Sequence, residues 1–184
     1  LYIRELVQNG LDAQATRISV AIDRDERSGY TKIGVTDDGR GMDEDTIRKY
    51  FLTLFSSSKE EDRNTIGRFG VGLVSIFAQR PIGVLVETSK DGADPMRVFL
   101  GEADRGAPAK IVRRQDRKIV LNDAETSNRG TSITLYVELD EEKRAETVER
   151  LRDELTRYCA YASTPIVFQG ERINKEFDVD GPIK

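Results

Sequence analysis

A helix-periodic segment at each end of the chain, with short β-type runs dominating the stretch between, constrains this fold more than any other feature. Residues 1–15 carry Leu1, Leu6 and Leu11, with Ile3 and Val7 near by, at helical spacing. Residues 141–162 place Val148, Leu151, Leu155, Tyr158 and Cys159 on one stripe. Ile18, Val20 and Ile22 alternate as a half-buried strand does, and Ile33 and Val35 repeat the pattern, with the charged Asp23–Gly29 segment as the loop of a hairpin. Further β-type runs at 82–88, 96–100, 109–114, 118–121 and 131–138 read as an antiparallel meander, and Ile166–Phe168 as a last strand. Asp43 is placed to cap a helix reaching about Leu54, and Val71 opens another that stops before Pro81. Residues 56–65 contain no apolar side chain and are expected to be mobile. Helices at both ends of a strand-rich middle predict an α+β two-layer sandwich.

Composition narrows the function. The 184 residues suit one domain spanning 1–184, large enough to bury a core without staples. The absence of histidine excludes triad hydrolases that use an imidazole base and zinc sites ligated by imidazole. The net charge of −4 argues against a basic nucleic-acid footprint. A single cysteine, Cys159, cannot form an intrachain disulfide and suits a reducing cytoplasm, the expected location. No uncharged apolar run approaches 18 residues, so no membrane partner is expected. Both ends look interrupted, which predicts one domain of a longer protein.

Four short stretches carry the chemistry. In the first, Glu5, Asn9 and Asp12 stand at i, i+4 and i+7, on one face of the first helix. Alone, such a face is a solvated surface, yet Asn9-Gly10 is a poor mid-helix pair, and Gly10 costs about 1 kcal/mol against alanine. An asparagine oxygen is a hard ligand suited to magnesium completed by water and phosphate. Glu5, one turn away, is placed to polarise a water. The second stretch, Asp37-Asp-Gly-Arg-Gly41-Met42, follows a strand; alone it is a tight turn. Its functional reading gives Asp37 a hydrogen bond from an adenine amino group, Gly39 and Gly41 a close backbone approach, and Met42 a soft wall.

The third stretch, Gly67-Arg-Phe69-Gly70-Val71-Gly72, precedes a helix without a surrounding βαβ unit, and no G-x-x-x-x-G-K-[ST] pattern exists anywhere in the chain. It is either a flexible connection or a cover whose N–H groups bind phosphate. The polar segment before it then acts as a hinged lid. The fourth, Gly130-Thr131, opens a strand, and a hydroxyl donor there is able to hold a water against the base beside Asp37. The basic segment with Lys110, Arg113, Arg114, Arg117 and Lys118 reads as the solvated edge of a hairpin.

In this order the four stretches resemble the GHKL superfamily of ATPases, which groups gyrase-type topoisomerases, MutL-type repair proteins, sensor histidine kinases and heat-shock protein 90 chaperones. The chain is most similar to the chaperones of the HtpG type, through Arg4-Glu5-Leu6, Asp37 to Met42, Ile66 to Gly72 with Ser75, and Arg129-Gly-Thr131. The segment Tyr161-Ala-Ser-Thr-Pro165-Ile after the closing helix adds to the likeness. The resemblance implies a Bergerat-type sandwich, a mixed, mostly antiparallel sheet with helices on one face enclosing ATP or ADP with magnesium. It implies Glu5 as the catalytic carboxylate and Asn9 as the magnesium ligand. Asp12 and Ala13 then lie near the base, Asp37 pairs with adenine beside Gly41, Met42 and Thr131, and Phe69, Gly70, Val71 and Gly72 cover the phosphates. It also implies lid closure, homodimerisation in the full-length protein and client proteins as partners.

The chain departs from the chaperone pattern at Tyr50, where an asparagine is usual, and at Ser56, where a lid lysine is usual; Lys59 stands near by. Its lid is also short. Other readings are an ATPase module of a gyrase or MutL-type DNA-transaction protein, a histidine-kinase catalytic domain needing a histidine-bearing partner, or a non-hydrolysing nucleotide sensor.

Overall fold

The structure, a computed structural model, describes residues 2–48, 80–90, 93–101, 111–113, 119–120 and 126–175. Helix α1 (Tyr2–Asp12) leads into the hairpin β1 (Ile18–Arg24) and β2 (Thr31–Asp37), followed by α2 (Glu44–Ile47); the expected reach of that helix to about Leu54 lies outside the described residues. Strands β3 (Gly83–Ser89), β4 (Met96–Gly101), β5 (Ile111–Arg113), β6 (Ile119–Val120), β7 (Thr126–Ser127) and β8 (Gly130–Val137) come next. Helix α3 (Glu141–Tyr158), β9 (Ile166–Phe168) and β10 (Glu171–Arg172) close the described chain. Eight strands form one sheet in the order β10-β9-β1-β2-β8-β3-β4-β5, while β6 and β7 pair separately. Only β1 and β9 run parallel among these pairs, with Ile18 opposite Ile166. The expected α+β sandwich with a mixed, mostly antiparallel sheet is what forms.

Alternation sorts the sheet into two faces. Ile18, Val20, Ile33, Val35, Val84, Val86, Val98, Leu135, Ile166 and Phe168 point to one side and are buried with Ile3, Leu6 and Val7 of α1 and Leu151, Leu155 and Cys159 of α3. Both long helices therefore cover the same face. The opposite face carries a Thr36–Ser132 hydroxyl pair at 2.8 Å, the Arg97–Glu87 ion pair, and Phe99 edge-on to Tyr136 at 6.1 Å. Phe99 is half exposed there.

Asp43 caps its helix as the sequence predicts, and Asp140 caps α3 in the same way. Asp43 accepts from the Thr46 N–H at 2.8 Å, and Asp140 accepts from the Lys143 N–H at 2.8 Å, each satisfying an otherwise orphaned donor of the first turn. Glu44 in turn pairs with Arg48 and with Arg113 of β5, both at 2.6 Å. Arg113 nevertheless stays exposed on the edge strand β5, in keeping with the solvated hairpin edge that the sequence suggests. Tyr158 differs from the expected core stripe. It sits at the rim, 39% exposed, with the Arg4 guanidinium 4.0 Å from its ring centroid and its hydroxyl donating to Gln8 Oε1 at 2.9 Å. The amphipathic ring joins α1 to α3 while keeping its polar end wet. Cys159 is buried as expected, and burial pushes its thiol up to about 11.

Leu155 has no exposed surface and anchors α3 on the sheet. Leu155→Ala is expected to lower stability by about 2–5 kcal/mol through lost transfer energy and the cavity left behind. Urea titration followed by far-ultraviolet circular dichroism checks this, and the midpoint should fall without a change in slope.

Candidate functional site

One transverse row of the sheet breaks the apolar pattern of the helix-covered face. Register places Ile18 opposite Asp37, Asp37 opposite Thr131, Thr131 opposite Thr88, and Thr88 opposite Met96. Asp37 and Thr88 are buried and Thr131 is partly so. Three polar side chains from β2, β8 and β3 thus stand side by side on a face whose next row is Val35, Ile133, Val86 and Val98.

Close backbone approach builds the surroundings of that row. At Gly130, where φ is +127°, an added Cβ would lie 2.0 Å from the Asp37 carbonyl oxygen. At Gly41, where φ is +66°, it would lie 1.9 Å from the Ser89 carbonyl oxygen. Both positions demand a backbone region that side chains disfavour and a space that none can share. Gly10 of α1 is a packing glycine. Its Cβ would meet Ile18 Cδ1 at 2.8 Å and Asp37 Cβ at 3.2 Å, so the helix lies directly on the carboxylate-bearing residue. The poor helix former in mid-helix is thereby explained. The Arg40 N–H donates to the Ala13 carbonyl at 3.0 Å, fastening the loop after β2 to the end of α1. The Met42 N–H donates to Thr88 Oγ1 at 2.9 Å, fastening the other end of the loop to β3.

The adjacent acids Asp37 and Asp38 divide the labour. Asp38 accepts from the Thr16 N–H at 2.7 Å, from the Arg17 N–H at 2.9 Å and from the Thr16 hydroxyl, so it organises the turn between α1 and β1. Asp37 points inward, and Oδ1 accepts from the Gly39 N–H at 2.8 Å. Burial pushes its carboxyl up to about 6; the Gly39 and Thr131 N–H groups oppose that rise and the charge of Asp38 adds to it. A carboxylate held at such a cost, against backbone amides alone among the described residues, is a functional candidate on physical grounds.

The row and loop unite Asp37, Gly41, Met42 and Thr131 with Ala13 at the end of α1. Glu5, Asn9 and Asp12 lie on α1 away from its buried side: Glu5 is partly buried, while Asn9 and Asp12 are exposed, and Asp12 accepts from Gln8 Nε2 at 2.8 Å. The Asn9 carboxamide oxygen is of the hard type that a magnesium ion takes alongside water and phosphate, and Glu5 stands one turn before it. Phe69, Gly70, Val71 and Gly72 lie outside the described residues, as do Tyr50, the segment 56–65 with Lys59, the helix from Val71, and Lys110, Arg114, Arg117 and Lys118. Sequence reasoning missed Thr88. Its signal was present: Val84 and Val86 alternate inward, and Thr88 is the next inward position, where a hydroxyl needs partners.

Comparison with known proteins agrees with this geometry. The family described as histidine kinase-, DNA gyrase B-, and HSP90-like ATPase matches residues 2–131, which contain α1, the Asp37 loop and Thr131. Chaperone protein HtpG of Campylobacter jejuni is 25% identical over 212 aligned residues, covering 98% of this chain and 31% of the relative. Chaperone protein HtpG of Bacteroides fragilis is 27% identical over 188 residues, covering 91% of this chain and 26% of the relative. The chain therefore spans about a third or less of the length of these relatives.

The raised carboxyl of Asp37 gives a prediction with a definite sign. Its folded-state value, about 6, exceeds the ordinary 3.8. The group's contribution to stability is therefore fully present below pH 3.8 and is lost as pH rises through about 6. Asp37→Asn, which keeps an acceptor for the Gly39 N–H, is expected to stabilise the fold at pH 7.5 by up to about 3 kcal/mol. The gain should vanish by about pH 4. Denaturant midpoints of both proteins across that range check it.

Proposed function

We propose that this chain, which belongs to the histidine kinase-, DNA gyrase B- and HSP90-like ATPase family, binds ATP with magnesium and hydrolyses it as the nucleotide-binding domain of an HSP90-like chaperone. The observation that carries the reading is the burial of the Asp37 carboxylate in a polar row beside Thr131, closed in by Gly41, Gly130 and the end of α1. A buried carboxylate met only by backbone N–H groups has lone pairs left for a further donor, and an exocyclic amino group is such a donor. Met42, packed partly against the core, supplies an apolar wall beside it.

Within this reading each side chain of the site has a defined task. Asp37 accepts the amino hydrogen of the base. Ala13 and Asp12 line the end of α1 beside the loop. Asn9 offers its carboxamide oxygen to magnesium, which neutralises phosphate charge when bound. Glu5, one turn before Asn9, takes the proton from the attacking water. Phe69 to Gly72 cover the phosphates. Lid closure, homodimerisation of a longer protein and action on client proteins extend the same reading, supported by the chaperone name that the relatives carry.

Glu5→Ala is expected to retain nucleotide but to lose turnover by roughly 10²–10⁴-fold, the usual contribution of general acid–base catalysis. Asp37→Asn should instead weaken ATP binding itself. Calorimetric titration with ATP and GTP, combined with a phosphate-release assay on the full-length protein, reads both effects. Full turnover in Glu5→Ala would rule out its role as base, and equal affinity for ATP and GTP would rule out Asp37 as the reader of the base.

A further inference from the structure

We propose that Thr88 fixes the purine selectivity of this site by holding the Thr131 hydroxyl so that it can only accept. The inference rests on the reading of the site as one for ATP and adds a residue that touches no ligand. Thr88 is fully buried, so it acts through its neighbours as a positioning residue.

The argument is a count of hydrogens. Thr88 Oγ1 lies 2.9 Å from the Met42 backbone nitrogen, 2.9 Å from the Gly130 carbonyl oxygen and 3.1 Å from Thr131 Oγ1. A hydroxyl has one hydrogen to give and two lone pairs to receive with. Gly130 C=O only accepts, so the single hydrogen of Thr88 goes there. Met42 N–H only donates and fills one lone pair. The remaining lone pair faces Thr131, whose hydroxyl must therefore donate to Thr88. All three contacts are hydrogen bonds under this assignment and under no other.

The consequence falls on the ligand side. With its hydrogen committed inward, the Thr131 hydroxyl offers the ligand only lone pairs, so it accepts there and is not the donor that the sequence suggests. Asp37, directly opposite it across β2 and β8, also offers only lone pairs when ionised. Two adjacent acceptors match an exocyclic amino group, which carries two hydrogens, and oppose a carbonyl oxygen at the same place on the ring. Thr88 thus enforces rejection of a 6-oxo purine through a hydroxyl that never reaches the base. It also ties the Met42 end of the loop to β3 and β8, so wall and acceptor row keep one spacing.

The test compares ATP with ITP, which differs by carbonyl for amino at that ring position. Dissociation constants are measured by titration calorimetry for the wild-type chain, Thr88→Val and Thr88→Ser. The wild type should prefer ATP. Thr88→Val frees the Thr131 hydroxyl to turn and donate outward, so the ATP-to-ITP preference should shrink by about tenfold, the worth of roughly one hydrogen bond. Thr88→Ser, which restores the hydroxyl, should restore the preference. If Thr88→Val does not fold, Thr88→Cys, whose thiol is a poor donor and acceptor, carries the same expectation. A purely structural role would weaken both nucleotides alike. An unchanged ratio in the hydroxyl-free variant therefore overturns the role of Thr88 while leaving the ATP reading intact. A wild-type chain that binds neither nucleotide overturns the ATP reading and this inference with it.

Discussion

The burial of one carboxylate against backbone amides is the constraint around which the rest of this domain is arranged. Asp37 ends β2 on the helix-covered face, where every neighbouring row is apolar. Holding it there requires α1 to come close enough that residue 10 has no room for a side chain, and β8 to come close enough that residue 130 has none. The loop that follows must then reach Thr88 without a Cβ at residue 41. Helix, loop and two strands are mutually fixed by the space around a group that is itself unfavourable to bury. Such an arrangement exchanges stability for a site poised to receive a donor, as functional sites commonly do.

Much of this was legible in the order of residues. Local signals did well where the physics is local. The N-cap Asp43, the alternation of β1 and β2 and the apolar stripe of α3 each depend on neighbours a few positions away. The second and fourth motif stretches located Asp37, Gly41, Met42 and Thr131, and the structure brings these together. What remained hidden was long-range. A simple meander does not describe a sheet in which β8 slips between β2 and β3, because nothing in a strand's own sequence names its partner. The two-residue strands β7 and β10 are too short to show a period. Tyr158 falls on the apolar stripe, yet its hydroxyl draws it to the rim towards Gln8.

Neighbouring residues of the same type carry opposite meanings here. Asp37 and Asp38 are chemically identical and adjacent, and a strand turns them to opposite sides. One receives three hydrogen bonds from Thr16 and Arg17 and serves the turn after α1. The other is desolvated, and its proton affinity rises with it. Environment rather than residue type assigns the role, which is why the pair read as an ordinary turn when taken alone. The same holds for the threonines, where Thr88 and Thr131 share a row but only one is partly open.

The strand order also governs when the pocket exists during synthesis. Asp37 is made 94 positions before its opposite residue, Thr131. Until β8 has been made and inserted, β2 and β3 have no common neighbour. A nascent chain that stops short of β8 lacks β9 as well, so the β1–β2 hairpin has no strand on either side and the acidic end of β2 has no partner row. The polar row of Asp37, Thr131 and Thr88 is therefore completed only by that insertion.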